Sequence, residues 1–258
     1  MKVFLFISVP TITLLLLFNR SQAQDADSVH SGIPIASKAK GGCRYIVPLT
    51  LIASGGIMLL DRDGDEFFLN NTEVREERNE NFRRFATHMD DYLQHAPALA
   101  TFVLSIGGVK GKHDLANQAA IYLKSEVLML ASVYGLKKTV GEARPDSRRR
   151  NSFPSGHTAE AFAGATFLAR EYGYHTPWIG MGAYAAATAV GACRVLNNRH
   201  WLSDVLVGAG IGMLSTELVF RTHKNHWGRA GHDRAVEVDP FFGYGASGLS
   251  LSYRCKVN

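Results

Sequence analysis

Long apolar runs alternate with short, strongly polar breaks along most of this chain, a pattern that predicts helices rather than strands. Val3 to Phe18, VFLFISVPTITLLLLF, is apolar over 16 residues. Ile46 to Leu60 is uncharged over 15 residues, with Gly55-Gly56 inside; it predicts a buried helix or one partly inserted in a membrane. Residues 72–95 are very polar, but Phe82, Phe85, Met89 and Tyr92 recur at spacings of 3, 4 and 3. That spacing predicts an amphipathic surface helix with a narrow buried seam. Pro97 to Val109 is apolar and runs into the turn-like GGVKGK. Four further helices are predicted: Leu115 to Leu136, which carries Lys124 and Glu126, about His157 to Tyr172, Pro177 to about Cys193, and about Leu202 to Phe220. They are rich in Ala and Gly, which lets helix backbones approach closely. The ending differs: AVEVDPFF and GLSLSYRC flank GYGAS, and their alternation predicts a small terminal hairpin.

The first apolar run reads as a signal peptide over residues 1–23. Lys2 supplies the positive start and Ser21-Gln22-Ala23 the small residues of a cleavage site before Gln24. The rival reading is an uncleaved anchor, but the run is short for that and Pro10 interrupts it. Residues 24–44 form a flexible lead-in, 45–222 a helical domain, and 223–258 a polar tail holding the hairpin. Tyr172 to Cys193 lacks formal charge for 22 residues but is Gly/Ala-rich and contains His175 and Pro177. With no clearer span, the pattern favours a soluble or membrane-apposed bundle in an exported compartment, the periplasm or cell envelope, with a membrane-embedded one as the alternative.

Charge and cysteines add little. Lys+Arg exceed Asp+Glu by 28 to 23, too small an excess to indicate nucleic acid. Cleavage would lower the net charge from +5 to about +3. Cys193 lies in an apolar run and is expected to be a buried free thiol. Cys43 and Cys255 sit near the two ends of the mature chain, where export would allow a disulfide. DRDGDE, residues 61–66, resembles a calcium loop but has Glu66 and Thr72 where that loop needs Gly and an acid. Asn70-Asn71-Thr72 matches a glycosylation sequon.

Three clusters carry candidate chemistry. Lys137 to Pro145, KKTVGEARP, offers Lys137, Lys138 and Arg144, followed by Arg148, Arg149 and Arg150; such a cluster is either solvated surface or an anion site. Residues 151–162, NSFPSGHTAEAF, bring Ser155, Gly156 and His157 to the start of a helix. Unsatisfied N–H groups and the positive end of the dipole make that start a ready anion site. Ser155 either caps the helix or donates to a bound anion. The same helix end, with arginines nearby, lowers an imidazole pKa and suits His157 to acid–base work. Cys193 to Asp204, CRVLNNRHWLSD, places His200 and Asp204 four apart on one helix face. A carboxylate on one ring nitrogen fixes the tautomer and frees the other nitrogen to attack; the alternative is a surface hydrogen bond. Arg199 is expected to face solvent.

In order, the clusters read Lys-x6-Arg-Pro, Pro-Ser-Gly-His and Arg-x5-His-x3-Asp, from Lys137 to Asp204. This resembles the type-2 phosphatidic acid phosphatase family, which shares its core with bacterial class A acid phosphatases and vanadium haloperoxidases. One position departs: Cys193 stands where the family often has Ser before the arginine. The resemblance runs from roughly Leu115 to Phe220. It implies an all-α helical bundle and a metal-independent, cofactor-free phosphohydrolase of a phosphomonoester or diphosphate, expected to be a lipid's. It further implies that Lys137, Arg144 and Arg194 bind phosphate oxygens, helped by Ser155 and the Gly156 N–H. His200 would be the nucleophile, steadied by Asp204, and His157 the acid and then the base, through a phosphohistidine. The alternatives are a vanadate-dependent haloperoxidase on the same anion site and a non-catalytic anion- or membrane-binding protein. Binding alone needs neither an acid nor a nucleophile, which weighs against the last.

Overall fold

The computed structural model describes residues 43–60, 70–147, 149–225, 234–243 and 246–255. The signal peptide, nearly all of the lead-in, the DRDGDE loop, Arg148 and the side chains of Cys43 and Cys255 lie outside the described residues. Eight helices are described: α1 (Cys43–Leu60), α2 (Asn71–Asn81), α3 (Met89–Leu93), α4 (Ala96–Ile106), α5 (Leu115–Val140), α6 (Gly156–Tyr172), α7 (Pro177–Leu196) and α8 (Leu202–Thr222). Two strands follow, β1 (Arg234–Gly243) and β2 (Ala246–Cys255). The chain divides into two compact units after His223. The second is an antiparallel hairpin, in register from Arg234 opposite Cys255 to Gly243 opposite Ala246.

In the helical unit α8 is central, packed against α1, α5 and α6, while α6 also packs against α4 and α7. Small residues make this possible. A Cβ at Gly208 of α8 would lie 2.5 Å from the Ser155 carbonyl oxygen at the start of α6, and one at Gly212 would overlap the Ala159 carbonyl. Ala159, Ala161, Ala163 and Ala165 of α6 are fully buried. The seam holds the starts of α6 and α8 together, and the Ser155 N–H donates to the Asp204 carbonyl at 3.0 Å.

α5 buries polar residues beside Ile121, Met129 and Val133 and exposes an apolar stripe. Its buried positions include Asn117, Gln118 and Ser125, whereas Leu123, Val127 and Leu130 face outward. The neighbouring α4 does the same, burying Thr101 and exposing Leu99, Val103 and Ile106. The outward residues recur at 4 and then 3, one stripe along each helix. A contiguous apolar exterior of this kind marks a surface that binds a membrane or another protein. Three helices, Leu115–Val140, Pro177–Leu196 and Leu202–Thr222, are long and apolar enough to cross a membrane. These helices support membrane association and weigh against the soluble alternative. The scattered Gly, Ala, Ser and Thr that dilute the hydropathy of α7 and α8 are packing residues between helices rather than solvent-facing ones.

The amphipathic helix expected from Phe82 to Tyr92 is also absent. Helix α2 ends before Phe82, and only the short α3 follows. In α3 Met89 and Tyr92 point out, 66% and 80% exposed, while Asp90 points in at 1% and Leu93 packs on the core. Spacing alone assigned the buried seam to the wrong residues, because the partner of α3 is an arginine.

Candidate active site

Helix α5 brings the first cation. It continues a turn past the expected end at Leu136, so Lys137 lies in its last turn. It stops at Gly141, whose φ of 60° is the left-handed C-cap conformation that glycine adopts without strain. The Lys137 Nζ donates to the carbonyls of Asn151 and Ser152 at 2.8 and 3.2 Å. In the loop beyond, the Arg144 N–H donates to the Arg149 carbonyl at 3.0 Å. Its Nε donates to the Asn151 Oδ1 at 2.9 Å. Both cations are thus tied to the strand of chain that leads into α6.

Ser155 caps α6, its Oγ accepting from the Thr158 N–H. Gly156 and His157 occupy the first turn, where backbone N–H groups point outward. Arg194 is in the last turn of α7, almost buried. Its Nε is buried with no hydrogen-bond partner. Leaving such a donor unpaired costs about 1–3 kcal/mol, which an anion at this place would recover.

His200 precedes α8, and Asp204 is in that helix's first turn. The Asp204 Oδ2 accepts from the Trp201 N–H at 2.9 Å, lies 3.2 Å from the His200 Nδ1, and accepts from the Ser152 hydroxyl. A carboxylate accepting at Nδ1 puts the imidazole proton there and leaves the Nε2 lone pair free. Burial pushes His200 down to about 4, Arg194 and Lys137 add to the fall, and Asp204 opposes it. The ring is therefore neutral near pH 7, the form in which nitrogen can attack.

His157 has a partner that its motif does not contain. Its Nε2 is 2.9 Å from the Oδ1 of Asp91 on α3. Burial and then Arg194 hold its pKa below the ordinary imidazole value, while Asp91 and Asp90 pull it back up. Burial raises the Asp91 carboxyl, but hydrogen bonds from His157 and His88 outweigh it and leave it below the usual range. Asp90 is 2.6 Å from the Arg194 Nη1, and Asp91 is 3.6 Å from the same nitrogen.

The eight residues singled out in the sequence therefore gather at one end of the bundle, around the starts of α6 and α8. Lys137, Arg144 and Arg194 are close enough to feel one another's charge. Arg199 is half-exposed, 3.4 Å from Asp146, and its charge also reaches Arg144.

What the sequence did not show is the contribution of residues 70–95. Asn71 donates to the Ser203 hydroxyl at 2.9 Å and accepts from the Ser203 N–H at 3.1 Å, capping α8 across 132 residues. Arg75 donates to the Pro145 carbonyl at 3.0 Å and lies over the Trp201 ring. Arg78 donates to the Leu196 carbonyl at 2.9 Å. Asn197 and Thr87 exchange two bonds, and Asn197 also reaches Asp90. The polar character of this segment was its visible signal; the partners that tie it to the site are distant in sequence. Ser152, by contrast, stands three residues before Ser155 and was within reach.

The chain is 40% identical over 149 residues to the lipid A 1-phosphatase of Porphyromonas gingivalis, an alignment covering 56% of this chain and 33% of the relative. The chain thus spans about a third of the length of that curated relative. Two crystal structures are similar at low identity. LpxE of Aquifex aeolicus is 23% identical, with a TM-score of 0.43, over 61% of this chain and 98% of that one. The PAP2-type phosphatidylglycerolphosphate phosphatase of Bacillus subtilis is 20% identical, with a TM-score of 0.44, over 68% of this chain and 94% of that one. The PAP2 superfamily model matches residues 118–227, the stretch that holds all eight motif residues.

Proposed function

We propose that this protein is a membrane-associated phosphohydrolase that cleaves the phosphomonoester of a lipid through a phosphohistidine, without a metal. The observation that carries the reading is the neutral, Asp204-bound His200 with a free Nε2, set among three cations and two helix starts. The phosphate oxygens would take hydrogen bonds from Lys137, Arg144, Arg194 and the Gly156 N–H. Cations and helix ends fixed in place stabilise the charge of phosphoryl transfer without reorganising. The His200 Nε2 attacks phosphorus as the ester P–O bond breaks, and the leaving oxygen takes its proton from His157. Water then attacks the phosphohistidine in line, His157 accepts the water's proton, the P–N bond breaks, and phosphate leaves.

The lipid assignment rests on the apolar stripes of α4 and α5 and on the relative named lipid A 1-phosphatase. Lipid A 1-phosphate is the first substrate to offer; phosphatidate, phosphatidylglycerol phosphate and undecaprenyl diphosphate present the same terminal phosphate. The test is phosphate release from short-chain phosphatidate and from lipid A in excess EDTA, with His200→Ala as control. Release that persists in EDTA and disappears in the variant is expected. Release that His200→Ala retains would overturn the mechanism.

A further inference from the structure

We infer that Asp91 is the positioning residue for His157: it holds the imidazole by Nε2 and supports the protonated form that the leaving oxygen needs. The inference rests on the phosphohydrolase reading, and it concerns a residue outside the 118–227 family match.

The geometry is specific. Asp91 Oδ1 meets His157 Nε2 at 2.9 Å, across 66 residues of sequence. The contact depends on a short helix held from three sides. Asp90 bonds Arg194, Asn197 bonds the Thr87 backbone, and the Gln94 amide donates to the Asp91 carbonyl at 2.8 Å. His157 starts α6 and cannot turn far from that helix end, so the carboxylate meets a ring already aimed.

The chemistry needs such a partner. Everything else that meets His157 disfavours its cation: burial, the Arg194 guanidinium of α7, and the start of its own helix. The acids of α3, Asp91 first and Asp90 behind it, are what oppose them. Asp91 in turn faces His88 of the preceding loop and Arg194. An imidazole left to the cations alone would be neutral, and the N–H of a neutral imidazole is too weak an acid to protonate an alkoxide leaving group efficiently. His200 has Asp204 for the opposite purpose, to direct a lone pair. The site thus holds two histidine–carboxylate pairs with different tasks.

A merely structural Asp91 would affect all substrates alike, so the test compares leaving groups. The full chain is assayed in detergent on short-chain phosphatidate, whose alkoxide needs a proton, and on p-nitrophenyl phosphate, whose phenolate does not. Asp91→Asn keeps the shape and removes the charge. The expected result is a fall in kcat of about 100-fold on the alkyl ester and only a few-fold on the aryl ester. The basic limb of the alkyl-ester pH profile should move to lower pH, and Asp91→Glu should restore part of the rate. In a His157→Ala background the same substitution should change nothing further. An equal loss on both esters with an unmoved pH profile would overturn the proposal in favour of a scaffold role. Unchanged or faster turnover with tighter vanadate inhibition would overturn it in favour of a carboxylate that merely occupies the anion site. Failure of the underlying reading looks different: wild type and His200→Ala would be equally inactive on both esters, and the proposal would fall with it.

Discussion

Two histidine–aspartate pairs lie among the same cations, and they differ in origin and in wetness. His200 and Asp204 are four residues apart, with side chains 2% and 0% exposed. His157 and Asp91 are joined only by tertiary structure, with side chains 32% and 45% exposed. Helix geometry makes the first pair wherever the sequence places those two residues; the second exists only if α3 docks. Burial suits the first, since a nucleophile works as the uncharged ring. Partial exposure suits the second, since an acid that must later take a proton from water needs access to water.

The comparison predicts a graded response. His200→Ala should abolish turnover, by about 1,000-fold or more, measured as phosphate release. Asp204→Asn keeps the ring in place but no longer fixes its tautomer, so roughly a 100-fold loss on both alkyl and aryl esters is expected. An aryl ester spared by Asp204→Asn would erase the distinction between the pairs. Asp90→Ala leaves the buried Arg194 guanidinium without its closest carboxylate. That should cost roughly 3–5 kcal/mol of stability, seen as a lower melting temperature in detergent that added phosphate partly restores. Arg75→Ala removes a half-exposed stack on Trp201 and should cost only about 0.5–1 kcal/mol; a loss as large as that of Asp90→Ala would show that α2 carries the site's stability.

The pH profile sharpens the same contrast. His200 must be neutral, so kcat/KM should rise with pH through about 4. His157 must be protonated to assist an alkyl leaving group, so kcat/KM should fall as pH climbs past a value below the ordinary 6.5. The optimum therefore belongs between those limits, and one above about 7 would reverse the roles of the two rings.

These differences also explain how far the sequence could be read. Lys137, Arg144, Ser155, His157, Arg194, His200 and Asp204 carry their meaning in local spacing, and helices α5 to α8 begin within a residue of where periodicity and capping residues put them. Asp90, Asp91, Asn71 and Arg75 carry none locally, because each is defined by a partner more than sixty residues away. Which side of α5 is covered was not legible either. Amphipathicity shows that a helix has two faces; which face is covered depends on whether water or lipid lies outside.

The unpaired Arg194 Nε has a practical consequence for anyone handling the protein. If the cations bind phosphate as proposed, a spare donor among them should also recruit whatever tetrahedral oxyanion the buffer supplies. Sulfate or phosphate carried through purification would sit as a silent competitor, raising the apparent KM and flattering the melting temperature. Activities compared between preparations will agree only when both are made in chloride or another monovalent, non-tetrahedral counterion.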